Sequence, residues 1–376
     1  MINMNQNHPT LFSPFSLGSI RLKNRIVMAP MTRSRAEGNM PNDLMAAYYG
    51  SRATAGLIIT EGVSPSPDGL GYARIPGLYS AQHIAGWKAV TEAVHARGGK
   101  IFVQLMHTGR ITHPYNLPED AELIAPSAIA AVNTPMYTDT AGMQALPVPR
   151  ALRTDELPDV IAEFVASARA AIEAGFDGVE LHGANGYLLD QFLNPASNHR
   201  QDAYGGTPEK RNRFVLETAS SVAAAIGAER TGIRLSPFGA FNDMDTDEHT
   251  VAQFEALASG LGGLGIAYIH VVDHSSMGTP AVPHSVKDGI RKAFGGTIIL
   301  SGGYDAGLAE ADLNAGKGEL VAFGRPYIAN PDLVTRLSTG AELQQPDQTT
   351  FYTPGAKGYT DYPGLAESAK ERMALA

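Results

Sequence analysis

Apolar residues in this chain gather in short continuous runs that end in glycine or a polar residue, each followed by a longer segment with helical spacing. The runs are RIVMAP from Arg25, GLIITEG from Gly56, KIFVQLMH from Lys100, FDGVELHG from Phe176, TGIRLSP from Thr231, IAYIHVVD from Ile266, TIILSGG from Thr297 and LVAFGRP from Leu320. Runs that are apolar at successive positions suit strands buried on both faces, as in a parallel sheet covered by helices. Between them, Leu157, Val160, Ile161, Phe164, Val165, Ala168 and Ile172 recur at helical spacing and predict one apolar stripe. Thr207 followed by Pro208 predicts a helix start, with proline at the first helical position, where its missing N–H costs nothing.

Eight strand and helix units with no proline-rich linker between them predict an α/β fold in one domain over residues 1–376, a single (β/α)8 TIM barrel. An open doubly wound sheet is the alternative. Two segments stand outside the alternation. Residues 11–23, with turn signals at Ser13-Pro14 and Gly18-Ser19, read as an N-terminal β-hairpin that closes the barrel floor. Residues 108–153 are rich in Pro, Ala and Thr without a clear period, and read as a long cap inserted after the third strand, over the barrel mouth.

Composition narrows the chemistry. The 29 Lys and Arg against 38 Asp and Glu give a net charge of −9, which argues against nucleic-acid or anionic-membrane partners. The complete lack of cysteine excludes disulfides, thiolate metal sites and cysteine nucleophiles. No metal site is expected. The start of the chain has no secretory signal pattern and no segment approaches the ~20 apolar residues of a membrane span, so a cytoplasmic protein is expected.

One glycine motif misleads. Gly260, Gly262 and Gly265 match the dinucleotide fingerprint, but that motif needs a strand before it and a helix after it. Here the helical segment comes first, so the glycines read as a helix-ending turn. A phosphate site is expected instead at Ser301-Gly302-Gly303 and Phe323-Gly324-Arg325, at the ends of the last two runs, where barrels commonly bind phosphate. At the end of the fourth run stand His182, Asn185 and Tyr187. If a helical turn begins there, His182 and Asn185 share a face. Three donors with no acid beside them suit polarising a carbonyl or nitro oxygen and supplying a proton. Thr32, Gln104 and Arg234 lie at other strand ends, and Arg234 inside a strand is costly unless it meets something anionic or electron-rich.

Together the motifs APMTR at 29–33, QLMHTGR at 104–110, HGANGYLLDQFLNP at 182–195, RQDAYGG at 200–206, GIRLSP at 232–237, AFGRPYIANPDL at 322–333 and FYTPGAKGYTDYP at 351–363 carry a resemblance. The chain resembles the old yellow enzyme family of FMN-dependent ene-reductases, in particular bacterial members of the morphinone, N-ethylmaleimide and xenobiotic reductase type. The resemblance implies tight, non-covalent FMN and NADPH or NADH as co-substrate. It implies FMN contacts at Pro30, Met31, Thr32, Gly62, Gln104 and Arg234, with the phosphate at Gly302, Gly303, Gly324 and Arg325. It also implies that His182 and Asn185 grip the substrate oxygen, that Tyr187 gives the proton, and that Tyr72, Met106 and Tyr352 line the pocket. The implied reaction is hydride transfer from flavin N5 to the activated C=C bond of a small enone or nitro compound, by a monomer or homodimer. Reduction of nitrate esters or nitroaromatics on the same scaffold is the alternative, and a flavin-free isomerase or aldolase acting on a phosphorylated substrate a more distant one. Asn185 stands where many members carry a second His, and Met106 where several carry an aromatic, which makes that wall more adaptable.

Overall fold

The structure, a computed structural model, describes residues 8–366. The chain opens with β1 (Phe15–Leu17) and β2 (Ile20–Leu22), antiparallel about Gly18, whose φ of +56° favours a residue without a Cβ. Then come β3 (Ile26–Met28), α1 (Asp43–Ser51), β4 (Leu57–Val63), α2 (Ala81–His95) and β5 (Ile101–Leu105). The cap follows, holding β6 (Ile124–Ala125), β7 (Met136–Thr138), β8 (Gly142–Gln144) and β9 (Arg150–Ala151). The chain continues through α3 (Leu157–Glu173), β10 (Gly178–Gly183), α4 (Leu188–Leu193), α5 (Pro208–Ile226) and β11 (Thr231–Leu235). After these lie α6 (Thr250–Gly263), β12 (Tyr268–Val272), α7 (His284–Phe294), β13 (Thr297–Ser301) and α8 (Ala306–Asn314). The last elements are β14 (Leu320–Phe323), α9 (Arg325–Ala329) and α10 (Leu333–Thr339).

All eight apolar runs are barrel strands. They pair in parallel in the order β3, β4, β5, β10, β11, β12, β13, β14, and β14 returns to β3 through Val321–Ile26, Ala322–Val27 and Phe323–Met28. That last pairing closes the barrel and excludes the open sheet. Every residue of β4, β5, β10, β11 and β12 is buried, which is why alternation is missing from their sequences.

Outside the barrel, α3 buries Leu157, Val160, Phe164 and Ala168 of its expected stripe. Ile161, Val165 and Ile172 are only half-buried, because the contact line runs instead through Ser167 and Ala171. Inside, Leu17 and Leu22 of the hairpin pack with Val27, Leu57, Phe102, Tyr268, Ile299 and Leu320 and close the floor. Each buried leucine contributes roughly 1.5–3 kcal/mol. Gly260 and Gly262 lie in the last turn of α6, and Gly265, at φ +66°, turns the chain into β12, so the glycine motif ends a helix as expected. Ile111, Ala131, Met136 and Leu146 of the cap form a small cluster against Tyr72 and Tyr187, which sets the cap over the mouth. Among the described residues no helix is long and apolar enough to cross a membrane. The expectation about a leader rests on residues 1–17, of which residues 1–7 lie outside the described residues.

Candidate active site

The carboxyl end of the barrel interior is polar. Glu180 and His182 are two apart on β10 and therefore face the same way. Glu180 pairs in register with Gln104, and His182 with Arg234, which in turn pairs with His270. The Glu180 carboxylate accepts from Gln104 Nε2 at 2.8 Å and lies 2.9 Å from His270 Nδ1, with both partners fully or nearly fully buried. Arg234 is only 7% exposed, forms no ion pair among the described residues, and leaves its Nε without a partner. Among the described residues no carboxylate therefore closes an ion pair with it. A buried guanidinium held in this way is costly unless something electron-rich meets it.

Two adjoining cavities open above this layer. One, of about 720 Å³, is lined by Pro30, Thr32, Gly62, Tyr72, Gln104, Met106, His182, Asn185, Tyr187, Arg234 and Tyr352, together with the cap residues Met136 and Met143. The other, of about 620 Å³, is lined by Pro30, Met31, Thr32, Arg234, Gly302, Gly303, Gly324 and Arg325. Pro30, Thr32, Asn185, Arg234 and Tyr352 border both, so the two form one trough from the last two strands to the barrel centre. Every residue that the sequence nominated lies along it.

Local backbone explains the positions. Gly303 has φ +70°, and an added Cβ would lie 2.6 Å from Ser276 Cβ; at Gly302, φ is +147° and a Cβ would meet Asp273 O at 2.7 Å. At Gly324 a Cβ would have nothing nearer than Met31 Sδ at 3.8 Å, so that backbone faces open cavity. Arg325 is exposed at the start of α9 and has no acid partner among the described residues. Gly62 is constrained from the other side: a Cβ there would meet Met106 Sδ at 2.4 Å.

The donor cluster differs from the expected helical turn. Helix α4 begins only at Leu188, while Asn185 (φ +60°) and Gly186 (φ +77°) are left-handed and turn the chain sharply after β10. His182 and Asn185 reach the same cavity by that turn and not by helical periodicity. The Asn185 N–H donates to Ser236 Oγ at 2.8 Å, and Asn242 Nδ2 donates to Asn185 O at 2.7 Å. Burial holds the His182 imidazole well below its ordinary range, with the Arg234 charge adding to this, and its Nδ1 has no partner. The ring is neutral at physiological pH. Tyr187 stands edge-on to it at 4.8 Å between centroids, and its hydroxyl lies 3.0 Å from that of Tyr72. Burial raises Tyr187 above the usual phenol range, which keeps its proton in place.

An acid does stand close, against the sequence expectation. Asp190 accepts from Gly186 N at 2.8 Å and from Ser236 Oγ at 3.3 Å, and burial pushes its carboxyl up to about 7. It braces the turn from behind and lines neither cavity. Sequence reasoning also missed His274, whose Nε2 lies 2.7 Å from Asn185 Oδ1 across 89 positions of chain. No local motif marks it.

The roof is tied to the start of the chain. Arg33 and Arg35, each 1% exposed, donate to the carbonyls of Thr350, Phe351, Lys357 and Gly358, at 2.8, 2.8, 2.9 and 2.7 Å in their shortest contacts. These bonds hold the loop that carries Tyr352, itself 62% exposed at the trough's rim.

The residues fit a flavin mononucleotide. The trough has Arg325, a cation with no acid partner among the described residues, and glycine backbone at one end for a phosphate. At the other end it has the unpaired Arg234 Nε, the Thr32 side chain and Gln104 for a polar ring edge. Comparison with known proteins agrees. Residues 10–344 match the model of the NADH:flavin oxidoreductase / NADH oxidase family. The chain is 44% identical to morphinone reductase of known structure, at TM-score 0.92 with 96% of this chain and 98% of that one covered. It is 40% identical to the old yellow enzyme homologue from Zymomonas mobilis, at TM-score 0.89 with 94% and 99% covered. Among curated sequences it is 40% identical over 357 residues to the protein of Leishmania infantum named "Probable flavin mononucleotide-dependent alkene reductase", covering 94% of this chain and 97% of that one. A barrel with this trough, matched along nearly its whole length, belongs to the NADH:flavin oxidoreductase / NADH oxidase family and is an FMN-dependent, NAD(P)H-using ene-reductase of the old yellow enzyme kind.

Proposed function

We propose that the barrel, floor hairpin and cap act as one FMN-binding domain that reduces the activated C=C bond of α,β-unsaturated carbonyl or nitro compounds. In this reading His182 and Asn185 hold the substrate oxygen and Tyr187 donates a proton to the α-carbon. The observation that carries it is the pair of buried His182 and half-buried Asn185, with hydrogen-bonding capacity unused among the described residues, directly beside a phenol whose proton burial retains. FMN, when bound, supplies the hydride.

Charge developing on a carbonyl or nitro oxygen is stabilised by donors already fixed in place, and removing one such donor costs roughly 2.7–4 kcal/mol of barrier. His182 suits the task because, neutral, it donates one N–H without placing a second full cation beside Arg234. Arg234 and Gln104 lie below, where a cation favours an electron-rich ring. Thr32, with the Pro30, Met31 and Gly62 segments, borders the ring position, and Gly302, Gly303, Gly324 and Arg325 provide the phosphate end. Tyr72, Met106 and Tyr352 shape the substrate side, and the cap methionines Met136 and Met143 make it apolar and adaptable. All of these groups come from one chain, so a monomer or a homodimer serves equally.

The test uses protein saturated with FMN and kept free of oxygen. NADPH or NADH should bleach the yellow absorbance, and 2-cyclohexenone should restore it with formation of cyclohexanone. Protein that takes up no FMN, or reduced protein that cyclohexenone leaves bleached, would overturn the reading.

A further inference from the structure

We infer that His274 is a positioning residue that holds the Asn185 amide with its NH2 group toward the substrate; this rests on the reading of Asn185 as a substrate-oxygen donor. An amide side chain has one accepting and one donating end of nearly equal shape, so it can serve a carbonyl substrate in only one of two orientations. With Nδ2 forward it donates to the substrate oxygen. With Oδ1 forward it repels that oxygen.

Nothing on β10 decides between these. Both backbone groups of Asn185 are engaged, its N–H by Ser236 Oγ and its carbonyl by Asn242, so the main chain is fixed while the amide can still turn. The contact that breaks the symmetry comes from the end of β12. His274 Nε2 lies 2.7 Å from Asn185 Oδ1, and Asn185 Nδ2 has no partner among the described residues. An amide oxygen only accepts, so the imidazole must carry its proton on Nε2.

The surroundings of His274 support that role. Phe241 stands edge-on to the imidazole at 4.5 Å between centroids and limits its rotation. Burial, with the nearby Arg234 charge, lowers His274 to about 4, so the ring is neutral at working pH and forms the bond as an uncharged donor. The residue is half-buried and lines the second cavity beside Asn185 without bordering the substrate side. It therefore acts through Asn185.

The test is a double-mutant cycle on FMN-saturated protein, with Asn185→Ala, His274→Ala, the double variant, and His274→Gln, whose amide N–H stands in for Nε2–H. Two readouts are taken. One is the dissociation constant of 4-chlorophenol, whose oxygen would accept from the same donors in this reading, followed by the change in flavin absorbance. The other is kcat and KM for 2-cyclohexenone. Loss of one oriented hydrogen bond should weaken 4-chlorophenol about 3- to 10-fold in His274→Ala. His274→Gln should recover to within about twofold. In the Asn185→Ala background the further change should be less than about twofold, because the group being oriented is gone.

Unchanged or tighter phenol binding in His274→Ala would overturn the proposal, since it would mean that the histidine is idle or holds the amide the other way round. An equal loss in the Asn185→Ala background would also overturn it, as a general disturbance of the loop. If His274→Ala has no effect while Asn185→Ala weakens binding, the positioning role alone fails. If Asn185→Ala leaves both readouts unchanged, the reading of the site fails and takes the positioning role with it.

Discussion

Replacing Tyr187 by Phe removes one oxygen and keeps the ring. The ring's contacts survive: edge-on packing with His182 at 4.8 Å and Tyr72 at 6.1 Å, and burial against Ile111 and Met136 of the cap. What disappears is the hydroxyl bond to Tyr72 at 3.0 Å, worth about 0.5–1.5 kcal/mol, so the variant should fold and keep its FMN. A proton donor contributes about 10²- to 10⁴-fold, which at 1.36 kcal/mol per tenfold is roughly 2.7–5.4 kcal/mol of barrier. That loss exceeds the stability effect across both ranges, so the two are separable. The assay is stopped-flow spectroscopy of the two halves of the cycle. Reoxidation of the reduced protein by 2-cyclohexenone should slow at least about 100-fold, while reduction by nicotinamide should change less than about threefold. The wild-type reoxidation rate should also stay flat up to about pH 10, since burial raises Tyr187 above its ordinary value and the acid form persists. Equal slowing of both halves, or a wild-type rate already falling at pH 8, would refute the assignment.

Three further outcomes are expected. Arg234→Met should raise the thermal midpoint of FMN-free protein, because a buried unpaired charge leaves, yet weaken FMN about 10- to 100-fold and lower its midpoint potential; fluorescence titration and potentiometry read both, and unchanged affinity would count against the ring-edge role. Gly303→Ala adds strain at φ +70° and crowds Ser276, so FMN affinity should fall while the far-ultraviolet circular dichroism stays the same. Asp190→Asn should change the pH profile of stability. The folded carboxyl sits at about 7 against 3.8, so its contribution is full below pH 4 and is lost as pH rises through 7. Relative to wild type the variant should therefore gain roughly 1.4 kcal/mol per pH unit across that window in urea unfolding, and parallel curves would contradict the burial argument.

The barrel was legible because its strands lie between helices and a floor cluster, which leaves continuous apolar runs such as that from Ile266 and predicts the hairpin at Gly18 from its turn residues. The cap was legible only as an interruption. Its paired strands are two or three residues long, too short to show alternation. At the site, strand ends and glycines pointed to the right positions, since register alone sets His182 beside Arg234 and Glu180 beside Gln104. The turn at Asn185 was not foreseeable from three-residue spacing, because two successive left-handed residues override helical geometry. Asp190 was hidden inside a helix sequence. His274 was hidden by distance, as its partner lies two barrel strands away.

The pairing of β14 with β3 also sets when the protein can acquire its cofactor. Pro30 to Thr32 leave the ribosome long before Gly324 and Arg325, a delay of roughly 15 to 60 seconds at ordinary rates of synthesis. Until β14 arrives the two ends of the trough are on separate parts of an unclosed chain, and until Thr350 to Gly358 emerge the bonds from Arg33 and Arg35 have no acceptors. A nascent chain therefore offers no flavin site at any intermediate length. The trough is complete only once its first and last segments have met, so on this geometry FMN would join a closed barrel.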